Sequence, residues 1–504
     1  MRMRLLLTGL VVAAALQGAA PAMAQKAQDT LRIAWRDAVP NVDPYYNSLR
    51  TGLVAAHQAW DTLIYRDPET FQLRPLLATS WRYADDTTIE FELRSGVKFH
   101  DGSPFTADDV VYTVTSTLSD KQVSVPSNFS FIAGAEKIDD LHVRIKLKRV
   151  FPAALEYFSM VLPIYPKAYR ERVGAEYSKM PVGTGPYRIT KVDGASLIEM
   201  ERNDDYFDSP KGKPAIRRLA IRQVADATGE LTAILGNQAD WIWQFSPDQM
   251  DNIGRIPNLQ TLRNESMRVA YLNMDAAGRT GADNPMTKLK VRQAVMHAVD
   301  RVTMAKQFMP GGSRVLDAPC FPTQFGCDQG AATKYEYDPA KAKALLAEAG
   351  YPEGFDTEIV GYQLPQWQGA VQNYLAAVGI RAKVAQLQVG AVVQRSIEGK
   401  NPMELGSWGS YSINDASAFM PYWFGGGGQD YARDPELQAM VESGGSSTDP
   451  DKRRAAYSAA IRRVTERAYF MPLFTFVTTY ATSRQLAFKT FADELPRFYL
   501  ASWK

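Results

Sequence analysis

Apolar and polar residues alternate over 30–35, 89–94 and 142–147, a period of two that predicts three strands, each buried on one face. A Pro/Asn/Asp loop at 39–47 follows the first of them. Helical spacing then takes over at Ala55, Ala56, Ala59 and Leu63. Between the second and third strands Thr106 reads as an N-cap, with Asp109 at the third helical position ahead of Val110, Val111 and Val114. A strand is expected at 219–224 and a helix at 229–236. Beyond residue 290 the pattern is richer in helix. Residues 291–309 are strongly periodic. Asp338 and Pro339 open a helix that Gly350 closes. A helix over 371–378 ends at Gly379 and a strand over 380–384 follows. An amphipathic helix at 452–467 precedes an apolar, β-rich run at 470–480. This alternation predicts an α/β lobe. No internal repeat is visible. The glycines at 425–428 lack the Gly-Lys-Ser/Thr ending of a phosphate cradle and read as a mobile loop.

The first 24 residues read as an address. Arg2 and Arg4 form a positive start, 5–16 is apolar, and Ala22-Met23-Ala24 fits a cleavage site that leaves Gln25 first. The apolar run falls short of the ~20 residues that span a bilayer, so a soluble, exported, periplasmic protein is expected, with no membrane insertion. No Cys follows the run to carry a lipid.

The chain of 504 residues is too long for one ordinary core. Its charge of +2 is carried by Arg2 and Arg4, so the exported form is near neutral and a nucleic-acid footprint is not expected. The two cysteines, Cys320 and Cys327, are expected to form a disulfide in an oxidising compartment. Only four His are present, none at metal-ligand spacing, and there is no G-x-S-x-G or H-E-x-x-H. No catalytic set, cofactor or metal site is expected. Aromatic residues are the positive signal, with nine Trp and 24 Tyr. Tyr45, Tyr46 and Asn47; Trp241, Trp243 and Gln244; Gln366 and Trp367; and Trp408, Tyr411, Asn414 and Asp415 cluster with polar neighbours in expected loops. Flat side chains beside a few hydrogen-bonding groups suit a closed small-molecule site.

The run Phe91-Glu-Leu-Arg-Ser-Gly-Val-Lys-Phe-His-Asp-Gly-Ser-Pro-Phe-Thr-Ala-Asp-Asp-Val110 resembles the signature of the family 5 extracellular solute-binding proteins, which serve ABC importers of peptides and nickel. Further landmarks follow in order at 182–187, 291–301 and 337–350. Their physical reading is structural: turns, a tight crossing at Gly183 and Gly185, and His100 within the scaffold. The resemblance implies an α/β, two-lobed periplasmic binding protein fold of the large, three-subdomain type, with a hinge and an interlobe ligand cleft. Lobe I is expected at 25–70, 188–273 and 485–504, an inserted subdomain at 71–187, and lobe II at 274–484. It also implies a small-molecule ligand, an ABC permease as partner, and a monomer.

Peptide-binding relatives commonly carry Gly-Trp-x-x-Asp-Tyr-x-Asp-Pro, whose first Asp holds the ligand's ammonium. Here the stretch is Ser407-Trp-Gly-Ser-Tyr-Ser-Ile-Asn-Asp415, with Tyr411 where that acid would stand. Asp415 is the candidate replacement, or else an N-cap for the residues after it. The loop at 363–368 lacks the Arg that clamps a carboxylate in dipeptide binders; Arg268 is a candidate substitute. A short peptide or peptide-like compound is the expected ligand, with an opine or amino-acid conjugate, an oligosaccharide or a nickel chelate as alternatives. A chemosensory or chaperone-like receptor, or a periplasmic hydrolase, are the readings from other classes.

Overall fold

Two long strands organise the molecule. Leu259–Met274 and Phe470–Ser483 lie antiparallel at the middle of a ten-stranded sheet. The second is the apolar run expected near 470–480, buried along almost its whole length. On one side of this pair the sheet continues through Met403–Trp408, Phe355–Gly361 and Ile380–Gln386. On the other it continues through Trp241–Trp243, Thr30–Trp35, Arg218–Gln223, Leu197–Arg202 and Tyr187–Asp193. The computed structural model describes residues 29–504 apart from 48, 363 and 364. The expected export segment lies outside the described residues.

A separate four-stranded antiparallel sheet holds Ala78–Asp85, Thr88–Leu93, His142–Leu147 and Ile132–Asp139. Its alternating residues place Ile89, Phe91, Val143 and Ile145 inside. The helix Ala107–Ser119 starts with the expected capping box, the Thr106 N–H donating to Asp109 Oδ2 at 2.8 Å. Asp338 likewise caps Pro339–Glu348.

The buried apolar residues fall into distinct groups. The largest joins Leu31, Trp60, Phe91, Trp241 and Phe498, so both ends of the described chain share one core with the four-stranded sheet. Two further groups, around Val295 and Ile359 and around Trp423 and Ile461, draw on residues from 270 to 477. The long strand pair runs between these regions.

Four local expectations change. The periodic stretch 291–309 is two helices, Leu289–Ala298 and Arg301–Phe308, because Asp300 turns its carboxylate to the Thr303 N–H at 2.9 Å and starts the second. The segment with Trp241 and Trp243 is not a loop but an interior strand, buried on both faces. The segment with Gln366 and Trp367 is the first turn of the helix Pro365–Ala376, for which Pro365 has a suitable fixed φ. The glycine loop at 425–428 is tied down by Arg279 Nη1, which donates to Gly428 O at 2.6 Å, and by Gly426 N, which donates to Asp430 Oδ2 at 2.9 Å.

Cys320 and Cys327 form the expected disulfide. The loop it closes lies along 413–416: Phe325 N donates to Asn414 O at 3.0 Å, and Ala416 N donates to Phe325 O at 2.9 Å. Gly183 and Gly185 cross the end of the helix Arg50–Ala59 so closely that a Cβ would lie 2.1 Å and 2.4 Å from Ala59 backbone atoms. His100 braces this crossing, accepting from Gly183 N at Nδ1 (3.2 Å) and donating from Nε2 to Gly185 O (2.9 Å).

Candidate ligand-binding cleft

A cavity of about 250 Å³ opens where the two regions meet. Residues 44–66, 125–129, 159–163 and 497–499 line it from the first core, and Trp408, Gly409 and Tyr411 from the second. It sits just below the roughly 300–1,000 Å³ of typical small-molecule pockets. Leu49, Leu53, Leu76, Phe129, Met160 and Val161 supply apolar wall.

Charge converges beside this wall from five distant stretches of chain. Asp493 binds Arg497 at 2.6 Å and Arg66 at 2.8 Å. Glu494 binds Arg268 at 3.0 Å and Arg50 at 3.4 Å. Arg66 also reaches Glu156 at 3.1 Å, and Lys211 reaches Asp61 at 2.7 Å. Burial alone would raise both acids of the C-terminal pair, but the guanidiniums outweigh it. They hold Asp493 well below the ordinary carboxylate range and Glu494 at about 2. Glu156 is raised instead, because burial exceeds the help from Arg66. His57, on the cavity wall, is lowered to about 3 by burial and then by the cations Lys211 and Arg497.

Arg268 reaches this cluster through a bulge. The register of Leu259–Met274 against Phe470–Ser483 shifts between Glu265 and Val269, which throws residues 266–268 out of the ladder. The segment after Trp408 is also unusual. Ser410, Tyr411 and Ser412 all have positive φ, of 49°, 49° and 63°. Three such non-glycine residues in succession are strained. They are held across the cleft: Ser412 Oγ donates to Asp493 O at 2.7 Å and accepts from Arg50 Nη1, while Arg66 Nη1 donates to Ser412 O.

The residues singled out by sequence separate into two sets. Tyr45, Asn47, Arg268, Trp408 and Tyr411 line the one cavity. Trp408 stacks on Tyr422 at 4.5 Å and meets Tyr411 edge-on at 4.9 Å. The others lie elsewhere. Trp241 and Trp243 pack against Tyr480, and Trp367 packs against Phe474 and Phe476. Gln244 continues the interior strand, its N–H donating to Thr479 O at 2.7 Å, and Gln366 is exposed. Tyr46 donates its hydroxyl to Asp120 beside a separate cavity. Asn414 joins its backbone to Glu156 and Phe325. Asp415 is buried, caps Ser417 N at 2.9 Å and accepts both its other contacts from Arg453 Nη2 at 2.8 Å.

Sequence reasoning did not single out Arg50, Arg66, Lys211, Asp493, Glu494 or Arg497. The one local signal was an acid pair and an Arg four residues on, set in an otherwise apolar C-terminal stretch. Among the described residues no cluster of His, Cys, Asp or Glu is arranged to hold a metal ion, and no helix is long and apolar enough to cross a membrane.

Comparison with known proteins places this geometry. The Di/tripeptide-binding protein 2 of Pseudomonas aeruginosa (strain UCBPP-PA14) is 27% identical over 496 residues, which cover 90% of this chain and 91% of that one. The Glutathione-binding protein GsiB of Escherichia coli (strain K12) is 28% identical over 384 residues, 72% of this chain and 70% of that one. The solved structure of HbpA2 from Haemophilus parasuis matches with a TM-score of 0.80 at 24% identity, covering 94% of this chain and all of that one. The family model for the bacterial extracellular solute-binding proteins, family 5, matches residues 72–431. The two-region α/β architecture and its interlobe cavity are thus those of a periplasmic binding protein, and the chain belongs to the bacterial extracellular solute-binding proteins of family 5.

Proposed function

We propose that this protein captures a short peptide or peptide-like compound in the cavity beside Trp408 and Tyr411 and delivers it to the permease of an ABC importer. One observation carries the reading. Wall segments from both cores enclose a single cavity, so a solute there touches both at once and favours the closed arrangement. In this reading lobe I comprises 25–70, 188–273 and 485–504, the inserted subdomain 71–187 and lobe II 274–484, with the long strand pair as the hinge. The protein acts as a monomer, leaves the inner membrane after cleavage behind Ala24, and binds its solute without turning it over.

A thermal-shift screen of the purified mature protein tests this. The panel holds di- to pentapeptides, glutathione, opines, oligosaccharides and nickel with chelators. A peptide-like solute at 100 times its Kd should stabilise the folded state by about 2.7 kcal/mol and raise Tm. A Tm that no solute moves, or hydrolysis of a bound peptide, would sink the proposal.

A further inference from the structure

We infer that the cavity selects its solute by a carboxylate and makes no charged contact to an amine, so that its preferred ligand is a net-anionic, peptide-like acid with an apolar body. This rests on the receptor reading above and narrows it.

The charged residues of the lining are of one sign. Arg50, Arg66, Lys211, Arg268 and Arg497 line the cavity, and among the described residues no Asp or Glu does. The acids that neutralise them, Asp61, Glu156, Asp493 and Glu494, stand behind the wall. Five cations against four acids leave one positive charge in excess within the cluster. The hydrogen-bonding capacity has the same bias. Four buried atoms of lining residues have no protein partner: Arg66 Nε, Arg497 Nε and Trp408 Nε1, which are donors, and the Tyr499 hydroxyl, which can donate or accept. A buried donor without a partner costs about 1–3 kcal/mol.

An ammonium finds the opposite conditions. Stripped of water, it needs an acidic partner. The carboxylates nearest the loop are already engaged, Asp415 by Arg453 and Glu156 by Arg66 and Asn414 N. Tyr411, on the cavity wall, brings no charge. The remaining lining is largely apolar and suits an acyl or side-chain body rather than a second charge.

Calorimetric titration of the mature protein with matched sets of di- and trileucine tests this. Each set comprises the free peptide, the N-acetyl peptide and the N-acetyl peptide amide. The N-acetyl acid should bind at least as tightly as the free peptide, and amidation should weaken it about tenfold or more, the loss of one charge-assisted contact. Tyr411→Asp supplies the missing acid at a backbone conformation that Asp tolerates better than Tyr. With Tm preserved, it should reverse the order, favouring the free amine over the N-acetyl acid. Amides that bind as tightly as acids, or binding confined to free-amine or neutral solutes, would overturn this inference and leave the receptor reading standing. If no solute of this or the wider screen binds, both fall together.

Discussion

Glu494 keeps its charge only because Arg268 and Arg50 stand against it, and Asp493 depends in the same way on Arg66 and Arg497. Their folded pKa values are depressed, so their stabilisation is complete above the ordinary carboxylate range and is lost as pH falls toward 2. Two part-buried histidines act earlier. His57 is lowered to about 3 and His100 to about 4, both chiefly by burial, from an ordinary 6.5. Below pH 6.5 the unfolded chain therefore binds protons that the folded one refuses. Each histidine should lower stability by about 1.4 kcal/mol per unit as pH drops from 6.5 toward 4, while Glu230 and Asp43, raised by burial to about 7 and about 6, act in the opposite sense. Urea unfolding of the wild type and of His57→Gln across this window checks it: the variant should lose one proton's worth of slope. Of these residues, sequence analysis assigned His100 to the scaffold and named Arg268 as a cavity candidate. It had no access to the guanidinium partners, because Arg50, Arg66 and Arg497 come together only through a topology that joins both ends of the chain.

At the level of elements, more was legible. The capping box at Thr106, the Asp338 cap, the alternating strands of the four-stranded sheet and the Pro-started helices are local signals, and they hold because tertiary packing agrees with them. The aromatic segments were harder. A short Trp-Ile-Trp run flanked by polar residues looks the same in a loop and in an interior strand until its neighbours are known; here Thr30–Trp35 and Phe470–Ser483 cover both its edges. The bulge that presents Arg268 also left no mark on the hydrophobic pattern, since it arises from a register mismatch with the partner strand. The glycine crossing gives a sharp test of the scaffold. Gly185→Ala would put a Cβ 2.4 Å from Ala59 C and should cost about 3 kcal/mol in denaturant unfolding. Gly134→Ala, on the four-stranded sheet with no atom within 4 Å of the added carbon, should change stability by about 0.5 kcal/mol or less.

The whole molecule turns on protein contacts that cross the cleft. Ser412 is the hub: its hydroxyl and its carbonyl both meet groups from the opposite core, Arg50, Arg66 and the Asp493 carbonyl. Two lobes joined by a strand pair exchange between open and closed arrangements, and a solute draws on whatever closed population exists. Ser412→Ala removes two of these crossing bonds and leaves the cavity lining intact. Small-angle scattering of the unliganded variant should show a larger radius of gyration than the wild type. Its affinity for whichever solute binds the wild type should drop about tenfold, with the loss in the closing step. An unchanged radius with unchanged affinity would remove Ser412 from the hinge energetics.

The backbone of Ser410, Tyr411 and Ser412 works against those same bonds. Each left-handed residue costs roughly 1–2 kcal/mol, so the loop is strained at the point where it is fastened across the cleft. Shut and empty copies would occupy the importer without cargo, and any strain this loop gives up on opening counts against them until a solute arrives to hold the clasp.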